Sequence, residues 1–242
     1  MQTSVHITKT FFFAGLMVLC FTLFQMTGFG DNYSGSSFGN DIKINKDLEK
    51  APEKENADEQ YNKGECYYSG EGVKEDKERA VEWFSKAAEK GDAQAQYTLG
   101  LCYYFGEGVK EDKERAAEWF SKAAKQGHAE AQFNLGLHYA LGDGVREDKE
   151  RAAEWYSKAA KQGHAQAQYT LGLCYDLGKG VKEDKERAAE WYGKAAEQGH
   201  AEAQYFLGAS YLRENEERAV HWFSKAAEQG HAGAKEALDI LK

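Results

Sequence analysis

The chain has 242 residues, with 40 acidic against 31 basic side chains and a net charge of −9. That balance weighs against a phosphate-neutralising nucleic-acid surface, which needs clustered Lys and Arg. Four cysteines are too few for a disulfide-stapled miniprotein, while a hydrophobic share of 42% can support a core.

The chain opens on a separate segment. From Phe11 to Phe29 it is almost wholly apolar, with Lys9 just before. Residues 1–30 read as a secretory signal, with Gly28 and Gly30 as small residues for cleavage before Asp31. The alternative is an uncleaved membrane anchor, because nineteen residues at ~1.5 Å each span about 28 Å. Lipid attachment at Cys20 is disfavoured by the bulky Leu19. Each reading places the rest of the chain outside the cytosol, secreted or facing the envelope.

Residues 31–56 read as a flexible polar tether. Asp31 to Asn40 is rich in Gly, Ser and Asn, Lys43 to Asn56 is mostly charged, and the single proline, Pro52, sits here. Asn32-Tyr33-Ser34 matches a glycosylation acceptor triplet, a pattern that also arises by chance.

From residue 57 onward one unit is repeated. Trp83, Trp119, Trp155, Trp191 and Trp222 are separated by 36, 36, 36 and 31 residues. The units run 57–92, 93–128, 129–164, 165–200 and 201–231, with a remnant at 232–242. The fifth has lost five residues between Tyr211 and Arg218, including its glycine turn.

Each unit predicts two helices. In the second unit the first helix runs from about Ala93 to Tyr104, with Ala95, Leu99, Cys102 and Tyr103 on one face. Gly106-Glu107-Gly108 breaks it. Asp112 caps the next helix, which turns Ala116, Trp119, Phe120, Ala123 and Ala124 inward. Glu118 and Lys122 are expected to pair in solvent, and Gly127 to close the helix in a left-handed conformation. A lone hairpin cannot bury both stripes, but stacked hairpins can, so the expected fold is an all-α solenoid. The ends read as caps. Glu59 and Lys63 replace Ala95 and Leu99, and the remnant carries Glu236 in the aromatic column.

The pattern A-x-A-Q-Y-x-L-G-x-x-Y-x-x-G-x-G-V followed by K-E-R-A-x-E-W-F-x-K-A-A-x-x-G-H resembles the Sel-one-like repeat family. The second unit carries it at Leu99, Gly100, Tyr103, Gly106, Gly108, Val109, Ala116, Trp119, Ala123, Ala124 and Gly127. The resemblance implies tetratricopeptide-like hairpins of about 36 residues. It also implies scaffold or adaptor roles, in secreted, envelope or quality-control assemblies. Some secreted cysteine-rich relatives staple each hairpin and have been linked to β-lactam hydrolysis or binding. Here each unit has at most one cysteine, so the staple is absent.

In a curved stack the first helices line the inner surface. By register the groove columns are Tyr97, Leu101, Tyr104 and Phe105, then Phe133, Leu137 and Leu141, then Tyr169, Leu173 and Leu177, then Tyr205. An aromatic and leucine-rich run of this length is unusual on a soluble surface and suits a protein or peptide partner. The competing reading packs the tyrosine column between neighbouring first helices as core.

Other columns carry less. Cys66, Cys102 and Cys174 share one column, but neighbouring hairpins stand roughly 10 Å apart, too far for a zinc site or a disulfide. They read as small core residues, and no metal or cofactor is expected. His128, His164, His200 and His231 follow each closing glycine, in the slot that Asp92 fills in the first unit. They read as helix-capping residues, with a pH-sensitive stripe as the alternative. The acidic and basic residues repeat from unit to unit, whereas an active site needs a unique cluster, so no catalytic residue is assigned. The leading reading is a non-enzymatic scaffold. The alternatives are a β-lactamase-like hydrolase and an inhibitory envelope protein that binds through its acidic outer surface.

Overall fold

The computed structural model describes residues 56–241. The apolar run before Asp31, Cys20 and the Asn32 triplet lie outside the described residues. Among the described residues there are eleven α-helices and no strand. They are α1 (Ala57–Ser69), α2 (Lys77–Glu89), α3 (Ala93–Phe105), α4 (Lys113–Lys125), α5 (Ala129–Leu141), α6 (Lys149–Lys161), α7 (Ala165–Leu177), α8 (Lys185–Glu197), α9 (Ala201–Tyr211), α10 (Glu216–Glu228) and α11 (Ala232–Ile240). Each helix packs on the next in chain order, so hairpins α1–α2 to α9–α10 stack as a solenoid closed by α11. None of these helices is long and apolar enough to cross a membrane.

Local chemistry sets the helix limits. Asp76, Asp112, Asp148, Asp184 and Asn215 each accept the backbone N–H three residues on, at 2.9–3.0 Å. That satisfies one orphan donor at the start of every second helix. The first helices of four hairpins stop at a left-handed glycine, Gly70, Gly106, Gly142 or Gly178. α4 ends one residue before the expected glycine. Gln126 is its cap and Gly127 follows at φ +96°.

Two close approaches hold the stack together. The ring of Phe120 lies flat on α3 at Gly100, where an added Cβ would meet it at 2.7 Å. Phe84, Tyr156, Tyr192 and Phe223 occupy the same seat over Gly64, Gly136, Gly172 and Gly208. Between hairpins, a Cβ on Gly108 would lie 2.1 Å from the carbonyl oxygen of Lys77. The glycine turn of one repeat therefore rests on the first turn of the preceding second helix. Lys77 and Glu107 pair across this junction at 3.0 Å, and Lys113 and Asp143 pair across the next at 3.1 Å. At the third junction the acid is replaced by Lys179, and Lys149 turns to Glu147 at 2.9 Å.

The tryptophans differ from expectation. The fully buried anchor of each hairpin is the ring that follows the tryptophan, such as Phe84, Phe120 or Phe223. Trp119, Trp155, Trp191 and Trp222 are only half-buried, with their faces covered by lysine ammonium groups. Lys122 Nζ lies 3.4 Å from the Trp119 ring centre and Lys158 Nζ 3.7 Å from that of Trp155. Lys122 is thus engaged in a cation–π contact, in place of the expected pair with Glu118.

The ends differ from the middle. At the N-terminus Glu59 closes a capping box with Asn56, and Lys63 lies over Trp83 at 4.7 Å. At the C-terminus Lys235, Glu236 and Asp239 of α11 stand where α9 has Gln204, Tyr205 and Gly208. The shortened fifth hairpin closes with a tight turn in which Asn215 N–H donates to Tyr211 O at 2.8 Å.

Candidate partner-binding face

The face in question is built by α3, α5, α7 and α9. Each starts on a histidine or aspartate cap. His128, His164, His200 and His231 accept the amide N–H of Ala131, Ala167, Ala203 and Ala234 on Nδ1, at 3.1–3.2 Å. Asp92 does the same for Ala95. An Nδ1 that accepts leaves the ring proton on Nε2. There His128 and His200 donate to the side-chain oxygens of Gln94 and Gln166, and His231 donates to Glu202, all at 2.9 Å.

Each histidine ring also stacks on an aromatic ring of the preceding first helix. The centroid distances are 4.7 Å to Tyr97, 5.0 Å to Phe133, 4.8 Å to Tyr169 and 4.5 Å to Tyr205. This accounts for the tyrosine column, which packs between repeats and does not stand in open solvent. Phe133 and Tyr169 are buried, and Tyr97 and Tyr205 are half-buried. Burial raises the Tyr97 hydroxyl pKa above its ordinary value.

The leucine columns divide. Leu101 and Leu173 are buried, a correction to their expected exposure. Leu101 lies in one core cluster with Phe120 and Leu135, because the next hairpin closes over that position. Leu137 is half-buried against the following hairpin's core, and Tyr104 is half-buried with Lys113 Nζ 5.7 Å from its ring centre. What remains open is the last position of each helix. Phe105, Leu141 and Leu177 are 38%, 39% and 39% exposed, and Leu212, just past α9, is 43% exposed. With Ile240 on the terminal helix, these are the exposed large apolar side chains among the described residues.

The row sits at helix C-termini, the negative end of the backbone dipole. No Lys or Arg occurs in α3, α5, α7 or α9, which carry Glu130, Asp176 and Glu202. Every second helix, by contrast, has a lysine in its last turn. Cations of the second helices reach these helix ends: Lys185 bonds the Asp176 carboxylate at 3.1 Å and Arg115 bonds the Tyr103 hydroxyl at 3.3 Å.

A buried polar ladder runs beneath the face, and sequence reading assigned it no role. Gln96, Gln132, Gln168 and Gln204 donate to the carbonyls of Ala88, Ala124, Ala160 and Ala196 at 3.0–3.1 Å. Each also accepts from the glutamine that ends its own hairpin, Gln126, Gln162, Gln198 or Gln229, at 2.7–2.8 Å. Every such residue therefore joins three consecutive helices. The signal was present as a polar residue recurring beside Ala95 in the inward stripe.

The cysteine column is core. Cys102 and Cys174 are buried, which pushes both thiols up to about 12, and Cys66 is half-buried. All three are free thiols. His138, in the same column, donates from Nδ1 to the Asp143 carbonyl at 2.6 Å. Among the described residues no group of His, Cys, Asp and Glu is placed to hold a metal ion.

A family model described as the Sel1 repeat matches residues 60–92, 93–128, 129–164, 165–200 and 201–231. A Sel1 repeat protein from Oxalobacter formigenes has a similar structure, with a TM-score of 0.67 and 38% identity over 76% of this chain and 75% of that one. A protective antigen of uropathogenic Escherichia coli strains, described as displaying an SLR fold, gives a TM-score of 0.75 at 36% identity. That match covers 76% of this chain but only 41% of the antigen, so the chain spans less than half of the antigen's length. A search of curated proteins found no match. The five matched repeats and the relatives above 30% identity show that the chain belongs to the Sel1 repeat family, whose members are generally protein–protein interaction scaffolds.

Proposed function

We propose that this chain is a non-enzymatic scaffold that captures a segment of a partner protein along Phe105, Leu141, Leu177 and Leu212. One observation carries the reading. Exposed bulky apolar side chains close the first helices of three successive repeats at the same helix position, and exposed Leu212 follows one position earlier in the next. A row of that kind is costly to leave in water unless something covers it. The occupant is a segment with apolar side chains accompanied by Lys or Arg. Cations suit the negative helix ends at which the row sits, and an acidic segment would meet repulsion there. The Phe11–Phe29 run supports a secreted or envelope-facing location for this scaffold.

Selection from a random peptide display library tests the reading, with the full chain as bait. Enriched peptides should combine bulky apolar residues with Lys or Arg. They should lose binding when Phe105, Leu141 and Leu177 are all changed to Asp, in a protein whose helical circular dichroism is unchanged. Failure to enrich binders, or binders indifferent to the triple substitution, would overturn it.

A further inference from the structure

The histidine caps have a consequence that does not depend on what the row binds. At four successive junctions one imidazole serves two helices. It accepts a backbone amide on Nδ1 and stacks on a ring of the preceding repeat, and at three of these junctions Nε2 also donates to a side chain there. The bond at Nδ1 requires the neutral ring with its proton on Nε2, whereas stacking and donation from Nε2 do not. An imidazolium carries a proton on both nitrogens, so its Nδ1 cannot accept. It also sets a positive charge at the positive end of the helix dipole.

We propose that the caps at His128, His164 and His200 make the coupling between their repeats acid-sensitive, while the junction between the first and second repeats, capped by Asp92, lacks this device. The groups facing each ring act in opposing directions. His128 sees Glu130 at 3.4 Å from Nδ1, with Asp92 further off, and His164 sees Glu130. Glu202 faces both His200 and His231. These carboxylates favour the charged ring, as does an aromatic face beneath it. Burial works against charging and prevails at His128, His164 and His200, whose pKa values lie below the ordinary histidine range.

The sign follows from proton binding. Between the lowered folded pKa values and the unfolded value of about 6.5, the unfolded chain holds more protons. Stability from these caps is therefore full above about pH 6.5 and is lost as pH falls towards the folded values. Asp92 accepts the Ala95 amide through a carboxyl oxygen and has no ring nitrogen whose protonation would remove the acceptor.

Nuclear magnetic resonance on the full chain tests this. Ring nitrogen shifts at pH 7.5 should show the Nε2–H tautomer for His128, His164 and His200. Between pH 7.5 and 5.5, exchange protection of the Ala131, Ala167 and Ala203 amides, corrected for intrinsic rates, should fall about tenfold, the scale of a lost cap. Protection of Ala95 should hold. In the Asp92→His variant Ala95 should fall with the others. Parallel loss at Ala95 in the unaltered protein, retained protection at the three histidine-capped amides, or an Nδ1–H tautomer would each overturn the proposal. These comparisons stand even if the variant fails to fold.

Discussion

Gly136→Ala sets two known effects against each other. Gly136 lies inside α5, where alanine is the better helix former by about 0.8–1 kcal/mol. On propensity alone the change stabilises. The structure says otherwise, because the new Cβ would lie 2.6 Å from Tyr156 Cε1 and 2.7 Å from Cδ1, with the Ala152 carbonyl oxygen at 3.2 Å. Contacts under 3 Å force the ring out of its seat, and overpacking of this kind costs about 1–3 kcal/mol. The net expectation is a loss of about 0–2 kcal/mol, the overpacking cost less the propensity gain, and no net stabilisation. Gly193→Ala is the matched control. That glycine is also helical, and its added Cβ meets only Leu207 Cδ2, at 4.0 Å. It should gain most of the propensity term, about 0.5–1 kcal/mol. Urea unfolding followed by circular dichroism at pH 7.5 reads both. Stabilisation by Gly136→Ala, matching the Gly193→Ala result, would refute the ring-on-glycine seat as the basis of hairpin packing.

Three further outcomes are expected. Lys179→Glu should restore the cross-junction pair with Lys149 and raise the urea midpoint slightly, by up to about 0.5 kcal/mol, because the equivalent pairs are half-exposed. High salt should erase that gain. Gln132→Leu should cost about 1–3 kcal/mol by removing two hydrogen bonds at a buried site, one to the Ala124 carbonyl, which keeps its bond from Gly127 N–H, and one from Gln162, whereas Gln162→Leu, at an exposed partner, should cost less; equal losses would count against the ladder. Cys102 and Cys174 should resist iodoacetamide at pH 8 in the folded protein and react after denaturation, while rapid labelling would contradict their burial.

Much of this fold was legible before any coordinates. The period of 36, the glycine breaks and the capping aspartates place ten helices in five hairpins, since each is a local signal repeated. Adjacent rings were harder. Trp119 and Phe120 straddle one stripe, and periodicity does not say which goes inside. The answer lay on the facing helix, at Gly100, where only the absence of a Cβ admits a flat ring. The candidate face divided for a related reason. Whether Leu101 is open or covered depends on how closely the next hairpin approaches, which one unit's pattern does not contain. Phe105, Leu141 and Leu177, at the last position of their helices, stay more than a third exposed.

The ring seat also sets α11 apart from the first helices before it. In each interior hairpin the first helix offers its own second helix a glycine for the ring and a glutamine for the ladder, and offers the following repeat an aromatic ring for its cap. In α11 those places hold Asp239, Lys235 and Glu236, so this helix has neither the glycine seat for a second-helix ring nor the ladder glutamine. The interior units, by contrast, are interchangeable parts with matching plugs. Duplication or loss of a whole unit, by recombination between near-identical stretches, changes the length of the array and leaves both end pieces untouched. Evolution can thus adjust how many Phe105-like positions the protein displays without redesigning any joint.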